Sequence, residues 1–181
     1  MSPFTLGRFV LALTLAGMVG GCFRPLYGDQ SSVGGPRVLD KMQSIEVDPV
    51  KATGDRRIAR VAGEVRNEVT FALTGGGPTN TSSYRLVVSL SSQNQQVIAD
   101  VTTGRSDGGT YGINANYSLI EIGTGKQVLN GSSFSRVSYD LPGQMQRFAG
   151  ERALRDAENR AAKVIAGNIQ TRLASYFAAG T

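Results

Sequence analysis

The chain has 181 residues, 19 Lys and Arg against 14 Asp and Glu, a formal net charge of +5 and 40% hydrophobic residues. That suits one globular domain with a short appendage, neither disordered nor fibrous. With no His and a single Cys, the chain is denied a Ser-His-Asp triad, a Cys-His nucleophile, a His-ligated metal, an intramolecular disulfide and a Cys-cluster zinc site.

In chain order, residues 9–19 (FVLALTLAGMV) form an apolar run that follows Arg8. A helix needs about 20 such residues to cross a bilayer, so the run has the length of a signal-peptide core instead. Val19-Gly20-Gly21-Cys22 closes it. Small residues before a Cys resemble the bacterial lipobox, where cleavage precedes the Cys and its thiol takes a diacylglycerol. Residues 1–21 are therefore expected to be a lipoprotein signal peptide, and Cys22 the acylated, palmitate-bearing amino terminus. Two or more acyl chains anchor a protein stably. Phe23, rather than Asp, follows the Cys and favours the outer membrane. Residues 22–40 read as lipidated terminus and tether, with Gly, Ser and Pro concentrated in 28–37.

Residues 41–181 read as a single domain. A short strand is expected at 42–47, ended by Asp48-Pro49. Asp55 can cap a helix over 56–73, where Ile58, Val61, Ala62, Val65, Val69 and Ala72 recur at helical spacing. Gly75-Gly76-Gly77-Pro78 stops it. Tyr84, Leu86, Val88 and Leu90 alternate as a strand with one buried face. The polar residues 91–96 are either a turn or a continuation of that strand, which residues 97–103 could extend. Asp107-Gly108-Gly109 reads as a turn. Tyr111, Ile113, Ala115, Tyr117 and Leu119 then mark one face of a third strand, and Gly123-Thr124-Gly125-Lys126 a turn. A fourth strand runs over 128–139, with Gly131 as a candidate bulge. After Pro142-Gly143, a long helix is expected over 144–178, with Leu154, Ala157, Ala161, Ile165, Ile169 and Tyr176 on one face. Two helices with one apolar stripe each, and a sheet with one apolar face, bury each other. The expected fold is α+β. It is a two-layer sandwich of order β-α-β-β-β-α, with a four-stranded, mostly antiparallel sheet, both helices on one face and a polar opposite face.

No catalytic or metal site emerges. Gly123-Thr124-Gly125-Lys126 lacks the Gly-x4-Gly-Lys-Ser/Thr spacing of a phosphate loop, and a strand follows it. The acids interleave with Arg along the helices, as solvated faces do. The basic residues Arg85, Arg105, Lys126 and Arg136 lie on or near strands. Arg pairs bidentately with phosphate. Export removes nucleic acid as the partner and leaves lipopolysaccharide as the envelope polyanion.

Cys22-Phe23-Arg24-Pro25-Leu26-Tyr27-Gly28 resembles the start of mature alphaproteobacterial LptE lipoproteins, although Phe23 stands where that family usually has Gly. Further echoes are Val65-Arg66-Asn67-Glu68, Tyr84-Arg85-Leu86, Ala115-Asn116-Tyr117-Ser118-Leu119, Ser138-Tyr139, Phe148-Ala149 and residues 156–161 (DAENRA). The resemblance implies a non-enzymatic outer-membrane lipoprotein, facing the periplasm, that plugs the β-barrel LptD and helps place lipopolysaccharide in the outer leaflet. It implies that Arg66, Asn67 and Tyr84 are structural or plug-barrel contacts. Basic strand residues would meet lipopolysaccharide, with Arg105 and Arg136 the foremost of the four named above. No cofactor is expected beyond the lipid on Cys22. The alternatives are an auxiliary lipid-binding lipoprotein of an ABC-type envelope transport system and an envelope hydrolase.

Overall fold

The computed structural model describes residues 38–54, 56–77, 81–97, 108–141 and 147–179. The expected signal peptide, Cys22, most of the tether, Asp55, Pro78, Arg105, Asp107 and Pro142-Gly143 lie outside these residues.

The element order is α1 (Val38–Gln43), β1 (Ile45–Val47), β2 (Lys51–Thr53), α2 (Arg56–Thr74), β3 (Tyr84–Val97), β4 (Gly108–Glu121), β5 (Gln127–Asp140) and α3 (Arg147–Ala178). The β-α-β-β-β-α order holds, with one short helix and one short strand added. The strand expected over 42–47 is confined to Ile45–Val47, because Val38 and Met42 sit one helical turn apart and both turn to the core. Ser44 ends that helix, its hydroxyl donating to the Lys41 carbonyl at 2.8 Å.

β1 and β2 lie in tandem along β3, both parallel to it, pairing with Tyr84–Leu86 and Ser89–Ser91 respectively. Asp48 still donates its N–H to the Leu86 carbonyl at 3.0 Å. Pro49 has no N–H to give, and the edge strand breaks there. β3, β4 and β5 form an antiparallel meander, so the sheet runs β1/β2-β3-β4-β5. The polar residues 91–96 are strand, paired with β4 from Thr110 to Asn114 and at Gly109.

Three glycines take roles that sequence reading does not give them. Gly108 and Gly109 are strand rather than turn, and Gly109 pairs with Tyr139. Gly131 is in regular register opposite Tyr117. At Gly109–Tyr139 and Gly131–Tyr117 the tyrosine ring lies over the glycine. A Cβ on Gly131 would stand 2.6 Å from Tyr117 Oη, and one on Gly109 2.6 Å from Tyr139 Oη. The absent side chain is the space the ring fills. The irregularity falls elsewhere: Leu119 faces Leu129 while Ile120 faces Gln127, so Val128 is the extra residue.

One sheet face carries Leu86, Val88, Leu90, Tyr111, Ile113, Ala115, Tyr117 and Leu119, all buried. α2 meets it with Ile58, Val61, Ala62, Val65, Val69 and Leu73. Ala72, expected in this stripe, is half-buried; Leu73 takes the place. Burying one such large apolar side chain stabilises by about 1.5–3 kcal/mol. α3 touches α2, β4 and β5. It is therefore buried along two adjacent lines: Leu154, Ala157, Ala161, Ile165 and Ile169, and beside them Glu158, Ala162, Ala166, Leu173 and Phe177. Its alanines let the neighbouring backbones come close. Tyr176, expected inside, is half-buried and meets Phe177 edge-on at 5.3 Å.

The two long helices run parallel. Arg60 binds Glu158, and Gln170 Nε2 donates to the Ala72 carbonyl at 2.7 Å, with the same sequence offset of 98 at both places. α3 also reaches the β5 edge. Arg160 donates to the Ser138 carbonyl at 3.2 Å, and Asn168 to Ser133 Oγ at 3.0 Å.

Candidate functional site

The uncovered face of the sheet is set by strand alternation. With Leu86, Val88 and Leu90 inward, β3 presents Arg85, Val87, Ser89, Ser91 and Gln93 outward. β4 adds Asn114, Asn116 and Ser118, and β5 adds Asn130, Ser132, Phe134 and Arg136. Cross-strand rows such as Ser89–Asn116–Ser132 and Ser91–Asn114–Phe134 make it broad and mostly polar. Phe134 is exposed, and the Arg136 guanidinium stacks over its ring at 5.2 Å.

The four basic residues singled out from sequence do not share one place. Arg85 lies at the row of Ile120 and Gln127, faced by Asp48 at 3.6 Å. Lys126 sits beside that row in the β4-β5 turn, its backbone N–H held by Thr124 Oγ1 at 3.3 Å. Gly125 has φ 67° there, a left-handed conformation that suits a residue without Cβ. Arg136 is opposite Gly112, eight positions further along β4. At about 3.4 Å per residue, roughly 27 Å separates it from the Arg85 row. Arg105 is outside the described residues. Of Arg66, Asn67 and Tyr84, which the resemblance implies are structural or plug-barrel contacts, Arg66 and Tyr84 make contacts within the fold. Arg66 Nε donates to the Val47 carbonyl at 3.2 Å, tying α2 to β1, and Tyr84 packs against Phe177 at 5.2 Å.

A second feature was missed by sequence reading. A cleft of about 370 Å³ opens between the start of α2 and the first three or so turns of α3, lined by Arg57, Arg60, Phe148, Glu151, Arg152, Leu154, Arg155 and Glu158. Glu158 interleaves with Arg as the solvated helix acids do, yet its side chain is only 2% exposed. One carboxylate oxygen, Oε2, accepts from Arg60, and among the described residues Oε1 has no hydrogen-bond partner. Glu158 lies between Ala157 and Ala161 on a helix buried on two sides, and a single-stripe reading of α3 cannot find it. Arg57 stands 3.8 Å from Glu151 at the rim. Phe148 is 89% exposed there.

Two phenols are held above their ordinary range. Burial is the larger cause for both, with Glu121 and Tyr176 adding at Tyr84, and Arg172 opposing at Tyr117. Among the described residues no group of His, Cys, Asp and Glu could hold a metal ion, and no helix is long and apolar enough to cross a membrane.

The family model for LptE, lipopolysaccharide-assembly, matches residues 42–173, from the end of α1 to the last turns of α3. The chain belongs to the LptE family. No curated protein matches the sequence. Among solved structures, a lipoprotein from Caulobacter crescentus CB15 is similar at 24% identity and TM-score 0.61, covering 80% of this chain and 97% of that one. Rare lipoprotein B from Shewanella oneidensis is similar at 13% identity and TM-score 0.50, covering 74% and 97%. Both likenesses are of fold. The LptE-family chain thus presents two surfaces to its surroundings: the polar sheet face and the arginine-lined cleft.

Proposed function

We propose that this chain is the lipoprotein subunit of an outer-membrane lipopolysaccharide translocon, seated as a plug in an LptD-type β-barrel and moored by the lipid on Cys22. Membership of the lipopolysaccharide-assembly family is the observation that carries this reading. The sheet face supports it. Large outer-membrane barrels have polar interiors, and a plug needs an outer surface of hydroxyls and amides that can satisfy such a wall. The rows of Ser, Asn and Gln across β3, β4 and β5 supply one. Phe134 with Arg136 supplies a single apolar-cationic anchor within it. A lipid on Cys22 would hold the domain in the plane of the membrane and raise its effective concentration near the barrel. Arg136, with Arg105, is the basic element proposed to meet lipopolysaccharide phosphates; Arg85 and Lys126 form a separate basic end of the same face. On this reading the chain performs no covalent chemistry of its own and works by filling, orienting and binding.

The test is affinity purification of the full-length protein from detergent-extracted membranes of its native bacterium. A large β-barrel protein is expected to come down with it, and its depletion is expected to reduce surface lipopolysaccharide. Recovery without a barrel, together with unchanged surface lipopolysaccharide on depletion, overturns the proposal.

A further inference from the structure

We draw no further inference here: the strongest candidate, the exposed Phe134 ring with the Arg136 guanidinium stacked over it on the open sheet face, belongs to the site already described.

Discussion

Removing Arg60 should reveal how far the buried Glu158 depends on it. Glu158 is 2% exposed and its Oε2 is bound by Arg60, whose own side chain is 35% exposed at the cleft. Arg60→Ala deletes that donor and leaves a carboxylate with neither oxygen paired in the described contacts. Taking one partner from a buried ion pair costs about 3–5 kcal/mol. Water reaches Arg60 through the cleft, which lowers the expected loss to about 2–3 kcal/mol. For a domain of this size that is a fall of roughly 4–12 °C in melting temperature. Arg60→Leu with Glu158→Met replaces both charges by apolar groups of similar volume and should recover most of the loss, because the desolvation penalty goes with the charges. The assay is urea unfolding followed by far-ultraviolet circular dichroism, suited to a chain without Trp. It is run on wild type, each single variant and the double as a mutant cycle. The reasoning is refuted if Arg60→Ala stays within about 0.5 kcal/mol of wild type, or if the two changes are additive.

Gly131→Ala should destabilise by about 1–3 kcal/mol, since the new methyl displaces the buried Tyr117 ring; Tyr117→Ala with Gly131→Ala should suffer no further loss from the alanine, as read by the same unfolding curves. Alkali should weaken the fold through Tyr84 and Tyr117. Their neutral forms are favoured in the folded state, so that stabilisation is complete below their ordinary value of 10.0 and is lost as pH rises through the raised folded values. Thermal melts from pH 8 to 11 should fall at the alkaline end, and Tyr117→Phe should flatten the fall. Cys22→Ser should shift the protein from the membrane pellet to the soluble fraction on cell fractionation, with the domain's circular dichroism unchanged.

The two-layer fold was legible because its periodicities are clean. Ile58 to Val69 keep helical spacing, and Tyr111 to Leu119 alternate without a break. What escaped the sequence were features produced by a second neighbour. Gly108 and Gly109 look like a turn until Tyr139 is placed over the second of them. Gly131 looks like an irregularity until Tyr117 is. α3 shows one stripe on paper and needs two, because it packs on α2 and the sheet at once; Glu158 sits on the hidden one. Of the candidate site, the polar outer face followed directly from alternation. The spacing of Arg85 and Arg136 did not, since strand register decides which ends of neighbouring strands coincide.

The broken edge at Asp48-Pro49 and the arginine reaching from α3 to the Ser138 carbonyl bear on solubility. An open sheet carries two rows of unsatisfied backbone groups, each a template for another chain. Here one border is interrupted by a proline between two three-residue strands, and the other is flanked by the side chains of a helix. Copies waiting to be assembled are thereby discouraged from zipping together border to border, while the broad polar surface between those borders stays open for a legitimate companion.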